Sequence, residues 1–214
     1  ALILSGELAI GQKLPSEREL AQKMQISRSV VNDGIAEMAR RGFLEISPRQ
    51  GTVVADFHRN GTLDILVSIM SYNGGQLPRE EIRSILEIRG VMMAFALESA
   101  IPRMNEEQLA ELREQSEMFA RAKGAEEAAQ LIYEFDHMLS SFSDNTLLPL
   151  FFCSFKTPIK ELWRRYVTRN GVSILKHRND ELLDCIARKD VPAAKRVIAD
   201  SIAETISGRT EIYG

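Results

Sequence analysis

Residues Leu14 to Val54 read LPSERELAQKMQISRSVVNDGIAEMARRGFLEISPRQGTVV, and this stretch decides the fold. Pro15-Ser16-Glu17-Arg18-Glu19 is a helix start: Ser16 can cap free backbone N–H groups, and Glu19 three residues on completes a capping box. Leu20, Ala21 and Met24 follow at helical spacing as an inner stripe. A second start falls at Ser27, with Arg28 and Ser29 in the first turn and Val30, Val31, Ile35 and Met38 as the apolar positions. Arg40-Arg41-Gly42 supplies a cationic last turn and a glycine stop. Phe43, Leu44 and Ile46 begin one strand, Pro48-Arg49-Gln50-Gly51 turns it over, and Thr52-Val53-Val54 returns. Helix, turn, helix and two-stranded wing make a winged helix-turn-helix, whose second helix fits the DNA major groove.

The rest of the chain bounds what this element serves. At 214 residues there is room for one large domain or two modest ones, and 44% hydrophobic with 27% charged residues is ordinary globular composition. No apolar run approaches the ~18 residues of a membrane span. The opening ALILSGELAIGQKLP lacks the charged start and long apolar core of a signal peptide. Instead ALILSG reads as the tail of a helix ended by Gly6, so the winged domain is expected to be truncated at its N-terminus. Cys153 and Cys185 form no CxxC pair, which fits a reducing, cytoplasmic location. Histidines at 58, 137 and 177 leave few metal ligands.

The formal net charge of -3 is unusual for a nucleic-acid binder, and residues 1–56 balance seven Lys/Arg against seven Asp/Glu. Placement outweighs the sum, because counterion release comes from the cations that face phosphate. Arg28, Arg40, Arg41 and Arg49 fall at the start and end of the second helix and at the wing tip, where they could form one basic face. For Arg40 and Arg41, solvated charges at a helix end is an equally good reading. Arg18 sits in a helix first turn, where cations are disfavoured, and so points to a partner anion. A neutral domain is expected to bind DNA as a dimer.

LPSEREL, the Ser-Arg at the start of the second helix, RRGFLE and RQGTVV together resemble the DNA-binding domain of GntR-family bacterial repressors. The resemblance implies that Arg18 and Arg28 meet the operator, Arg28 as a bidentate guanine contact, flanked by Ser27, Ser29 and Val30. It also implies that Arg49, Gln50 and Gly51 enter the neighbouring minor groove or meet its phosphates. One departure stands out: the FadR-type branch usually carries Arg-Glu-Ala-Leu where this chain has Asn32-Asp33-Gly34-Ile35. Asn32 can read adenine but cannot make the arginine contact, and Gly34 weakens the helix by up to ~1 kcal/mol relative to Ala. Either the sequence has drifted and packing holds the helix, or the operator differs from the branch's usual one.

Phe57 to Gly61 carries no strong apolar period and reads as a connector. Beyond it strand signals stop. Seven helical runs follow at 63–72, 79–101, 105–122, 126–142, 147–166, 172–187 and 191–207. Pro158 should kink or divide the fifth. The expected fold is mainly α: a winged helix-turn-helix over 1–56, a linker over 57–62, and an all-α bundle of six or seven helices over 63–214 for effector binding and dimerisation.

LEIRGVMMAFALESA, FDHMLSSFSDNTLLPLF and NDELLDCIARKDVPAAKRVIADSI resemble, in order and spacing, the effector-binding FCD domain of the FadR-type branch. Many FCD domains use an Asp and three His on facing helices to hold a divalent metal that receives a carboxylate effector. The corresponding positions here are Ile132, Asp136, Asn179 and Ser201. Ile cannot ligate, Asn and Ser are weak ligands, and His137 and His177 fall out of register, so no metal and no other cofactor is expected.

Arg89 emerges from a stripe of Ile85, Leu86, Met92 and Met93, and a buried cation needs a partner. Asp136 is likewise bracketed by Ile132, Tyr133 and Leu139. Two readings stay open. Arg89 is satisfied within the chain, by Asp136, Glu87 or a carbonyl; or, as the resemblance implies, it anchors an acidic effector, with Asp136, Tyr166, Asn179 and Ser201 as polar wall. Met70, Met92, Met93, Met118, Phe119, Met138, Phe142, Phe151, Phe152 and Phe155 are core, or they line a cavity for a long acyl chain. Arg164-Arg165 beside Trp163 is a solvated face, or a grip for phosphate.

The leading expectation is a homodimeric repressor of the cytoplasm. It binds double-stranded operator DNA, and its affinity is set by a small acidic or acyl effector in the helical domain. The alternative is a helical metabolite-binding or metal-dependent enzyme module with a degenerate winged domain, although no catalytic Ser/His/Asp, Cys/His or carboxylate pair stands out. A purely structural oligomer is a third reading, which a buried Arg89 and Asp136 disfavour.

Overall fold

Ser16 caps the first helix as its sequence demands. Its hydroxyl accepts from the Glu19 backbone N–H, and the Glu19 carboxylate accepts from the Ser16 backbone N–H at 2.8 Å. Helix α1 (Glu17–Met24) ends at Gln25, which takes a left-handed φ of 56°. Ser27 caps α2 (Arg28–Arg40), its hydroxyl accepting from the Val30 N–H. Gly42 follows α2 at φ 88°, and a Cβ there would lie 2.7 Å from the Asn60 carbonyl oxygen, so both conformation and space require glycine. The wing pairs β1 (Leu44–Ser47) antiparallel with β2 (Gly51–Val54), Leu44 facing Val54 and Ser47 facing Gly51.

The computed structural model describes residues 2–47, 51–62, 64–72, 78–207, 210 and 212, apart from the side chains of Leu66, Ser71 and Tyr72. Pro48, Arg49, Gln50 and the Asn73-Gly74-Gly75 stop thus lie outside the described residues. Leu2 to Gly6 form a turn rather than a regular helix, with Gly6 at φ 80°.

Contacts divide the chain into two compact units, Ala1–Leu77 and Pro78–Gly214. The connector expected over 57–62 contains a one-turn helix α3 (Phe57–Asn60), N-capped by Asp56. Helix α4 (Asp64–Tyr72), expected to open the helical bundle, belongs to the first unit. Ile65 joins Ala21, Val31, Ile35, Phe43, Leu44 and Val54 in one core. The sequence reading stopped short because α3 and α4 lack a long stripe of their own and are held by what they cover. Met24, placed in the inner stripe, is instead 60% exposed, since α1 is too short to bury a third turn against α2.

The second unit is all-helical: α5 (Arg79–Ala100), α6 (Glu106–Ala120), α7 (Ala125–Ser141), α8 (Leu148–Ser154), α9 (Lys156–Asn170), α10 (Val172–Ala187) and α11 (Val191–Ser207). Asn105 and Gln108 close a reciprocal cap on α6. The break expected at Pro158 falls at Phe155, between α8 and α9. Pro158 itself lies in the first turn of α9, where its missing N–H has no helical acceptor to leave unmet. Helix α5 packs on α7 and α11, α7 on α6 and α9, and α10 on α6 and α11, so these six helices surround one interior.

Candidate functional site

The first unit presents its cations at one end of α2. Arg28 and Asn32 are one turn apart and share a face of α2. Asn32 Nδ2 donates to Glu17 Oε1 at 3.1 Å, which ties the start of α1 to that face. Arg18 and Arg28 are both exposed, and among the described residues neither makes a side-chain hydrogen bond or salt bridge, Arg18 having only a weak electrostatic contact with Glu19. Ser29 is exposed, and Val30 is 56% exposed, an apolar surface suited to a thymine methyl. The Ser27 hydroxyl is engaged in capping. Asn32 would have to release Glu17 to read adenine with both amide atoms.

The opposite end of α2 corrects the single basic face. Arg40 and Arg41 both close on Glu37, at 2.8 Å and 2.7 Å, and Arg41 Nη1 also donates to Ser68 of α4 at 3.2 Å. These two bonds hold the Glu37 carboxyl down at about 2, the Arg40 contact contributing most. The pair therefore fastens α2 to its own unit, about 18 Å from Arg28 at 1.5 Å per residue. One cation absent from the sequence reading takes part at the wing. Lys13 bridges to Val53, Leu14 N–H donates to the Thr52 carbonyl, and the Lys13 side chain lies against Gly51 (φ 96°). A Cβ on Gly51 would come within 2.9 Å of Lys13 Cε, so glycine admits the lysine stem. Nothing in the local pattern marked Lys13; the bridge to β2 does.

In the second unit Arg89 and Asp136 find each other across α5 and α7. Arg89 Nε and Nη2 donate to the two carboxylate oxygens at 2.9 Å and 3.1 Å, with the side chains 7% and 3% exposed. The guanidinium also lies 4.5 Å from the Trp163 ring centre, and Trp163 Nε1 approaches Asp136 Oδ2 at 3.4 Å. Of the openings that the sequence left, internal pairing is what the structure shows. Glu87 instead meets Arg83 at 2.8 Å.

Two small chambers flank this pair. The first is bounded by Leu86, Ile159, Tyr166, Ile202 and Thr205 and leaves about 20 Å³ for the centres of water-sized spheres. The second leaves about 30 Å³ and is bounded by Ile132, Asp136, Arg178, Asn179 and Ser201. Arg89, Trp163 and Ser201 line both. The five residues assigned to an effector therefore share one interior, Tyr166 on the first side, Asp136 and Asn179 on the second. Asn179 Nδ2 donates to Ser116 at 2.8 Å, and Ser201 accepts from Arg178 at 3.1 Å; Arg178 also pairs with Glu204. Ser116 and Arg178 were not legible beforehand, because each acquires its role only from a neighbouring helix.

Two sequence alternatives are set aside by this geometry. Among the Met and Phe residues offered as an acyl cavity, Phe119 alone lines a chamber. Arg164 and Arg165 both bind Glu161 at 2.8 Å, which makes them an intrahelical cluster rather than a free phosphate grip.

Comparison with known proteins places these two units in families. The model described as bacterial regulatory proteins, gntR family, matches residues 1–54, and the FCD domain model matches residues 84–204. The chain belongs to the GntR family, in its FadR-type, FCD-containing branch. Among relatives, the fatty acid metabolism regulator protein of Shewanella pealeana is 30% identical over 156 residues, 73% of this chain and 64% of that protein. The HTH-type transcriptional regulator Mce2R of Mycobacterium tuberculosis is 37% identical over 114 residues, 53% of this chain, so the match spans about half (47%) of that relative's length. Streptococcus agalactiae GntR shares the fold with a TM-score of 0.52 at 21% identity, covering 97% of this chain and 95% of that one.

The FCD assignment raises the question of a metal, which the donor set answers. Ile132, Asp136, Asn179 and Ser201 do line one chamber, as the resemblance aligned them. Ile132 offers no donor atom, both oxygens of Asp136 are held by Arg89, and the Asn179 amide is turned to Ser116. These residues do not fit a transition metal. Among the described residues no other group of three His, Cys, Asp or Glu is placed to hold one. In this FCD unit a guanidinium supplies the buried positive charge.

Proposed function

We propose that this GntR-family chain is a transcription regulator, expected to repress, that binds double-stranded operator DNA as a homodimer and responds to a small acidic effector in its helical unit. The observation that carries the reading is the pair of exposed cations, Arg18 in the first turn of α1 and Arg28 at the start of the recognition helix, which make no side-chain hydrogen bond or salt bridge among the described residues while Arg40 and Arg41 are tied down. Cations held ready in that position serve phosphate and guanine contacts. Lys13 beside Gly51 extends the same service to the wing.

The helical unit supports the sensing half. Arg89, Asp136, Asn179, Ser201 and Tyr166 converge on a small polar interior within an otherwise apolar bundle. Dimerisation is supported by an exposed apolar stripe on α5, where Ile88, Val91 and Phe95 stand 44%, 72% and 46% exposed at successive turns. No described helix is long and apolar enough to cross a membrane, and with the free cysteines Cys153 and Cys185 this supports a cytoplasmic regulator.

The test is a gel-shift titration against selected operator fragments at several salt concentrations. Affinity should fall steeply with salt, and Arg28→Ala should cost about 1–3 kcal/mol and relax one base preference. Binding that ignores both salt and Arg28→Ala would refute the reading.

A further inference from the structure

Tyr133, His137 and Cys153 form a second titratable cluster in the helical unit, and none of them lines either chamber. Tyr133 and His137 stand one turn apart on α7, their rings 6.0 Å centre to centre. Cys153, on α8, places its sulfur 3.4 Å from His137 Nε2. The Tyr133 hydroxyl makes a hydrogen bond to the same sulfur. Burial first, and then that bond, push the Tyr133 phenol above its usual range, so it stays protonated and serves as a donor. Lys156, in the first turn of α9, lies 5.4 Å from the Tyr133 ring centre, and that turn carries no acidic residue. Cys153 is exposed, whereas Cys185 is buried and its sulfur accepts from Arg188 at 3.6 Å. The exposed thiol is thus the one with a base, a donor and a nearby cation, the surroundings of a nucleophilic cysteine.

The approach to that sulfur is apolar. Leu147 and Leu150, six and three positions before Cys153, are 58% and 60% exposed, and the adjoining Phe151 is 55% exposed. Large apolar side chains clustered in water mark a binding surface. We infer that Cys153 is a covalent modification site for apolar α,β-unsaturated ketones, with His137 as its base and Leu147, Leu150 and Phe151 as the seat for the carbon chain. His137 Nε2 takes the thiol proton while Tyr133 donates to the sulfur. The sulfur forms a bond to the β-carbon of the enone, and the carbon–carbon π pair moves onto the conjugated carbonyl as an enolate. The imidazolium then returns the proton to the α-carbon. No group leaves, no oxidant is needed, and His137 ends neutral as it began. A small polar oxidant such as hydrogen peroxide gains nothing from the leucines, whereas an alkyl tail buries methylenes against them. The site is separate from the Arg89–Asp136 interior and does not depend on DNA binding.

The experiment treats the full chain with 1-octen-3-one or methyl vinyl ketone, which share the reacting group and differ in the tail. Intact mass and peptide mapping follow the rate at each cysteine, with glutathione as the reference thiol. Cys153 should react at least about tenfold faster than Cys185, and His137→Gln should slow Cys153 at least about tenfold, the loss of a positioned base. In concentrated urea the two proteins should react alike. Relative to glutathione, folded wild type should favour 1-octen-3-one over methyl vinyl ketone by about fourfold or more, the equivalent of one buried methylene. Leu150→Ser, at an exposed position, should remove much of that preference, and it carries the test should His137→Gln fail to fold. Equal rates for folded wild type and folded His137→Gln, Cys185 reacting first, or a tail preference no greater than that of glutathione would each overturn the assignment. So would oxidation of Cys153 by hydrogen peroxide outpacing its alkylation at equal concentration.

Discussion

Replacing Asp136 by Asn should cost the helical unit about 3–5 kcal/mol, because it strands a buried guanidinium. Arg89 and Asp136 are 7% and 3% exposed, so solvent screening offers little relief. Asn keeps the shape of the carboxylate but can accept only one of the two bonds at 2.9 Å and 3.1 Å, and it presents an NH2 to the other donor. The chain contains one tryptophan, Trp163, whose ring lies 4.5 Å from the Arg89 guanidinium. Its fluorescence in a urea titration therefore reports on this unit alone. A loss of about 4 kcal/mol against a slope of roughly 2 kcal/mol per molar urea moves the midpoint down by about 2 M. The double variant Arg89→Met with Asp136→Leu should recover most of this, because removing both charges also removes their desolvation penalty. A single-variant loss below about 1 kcal/mol, or a double variant as unstable as the sum of both singles, would refute a buried, coupled pair.

Gly34→Ala should stabilise the winged unit by up to about 1 kcal/mol, since an added Cβ meets nothing within 4 Å and α2 gains a better helix former; calorimetry checks this. Lys13→Ala should lower the salt slope of DNA binding by about one while weakening all sequences alike, in contrast to the base-selective loss expected of Arg28→Ala. Glu37 has its carboxyl held at about 2 by Arg40 and then Arg41, below the ordinary 4.5, so its stabilising contribution is present above 4.5 and disappears as pH falls toward 2. Glu37→Gln should therefore lower the melting temperature of the winged unit slightly at neutral pH, and the difference from wild type should vanish in that acidic window. A difference that persists at the acid end would place the effect elsewhere.

Local chemistry carried the recognition of the winged unit. Ser16 with Glu19, Ser27 before Arg28, and Gly42 after Arg41 are interactions over a few residues, and each formed where its sequence placed it. Helix spans in the bundle were legible for the same reason, since their apolar period is a local property. The exceptions are instructive. Helices α3 and α4 read as connector and bundle because their attachment to Phe43 and its neighbours is tertiary. Pro158 attracted the break that occurs at Phe155, because proline in a first turn is compatible with the helix it was expected to interrupt.

By itself, then, the sequence determined a winged helix-turn-helix followed by a helical bundle, and it named Arg89, Asp136, Asn179, Ser201 and Tyr166 as residues of interest. Only tertiary structure decided what those side chains do. Arg89 and Asp136 are 47 positions apart, and their pairing exists because α5 packs on α7. The same packing buries the Tyr166 hydroxyl without a hydrogen-bond partner among the described residues. Caps and periods are fixed by neighbours in the chain. Partners for a buried charge are fixed by whatever helix the fold brings alongside, and that choice carries no local signature.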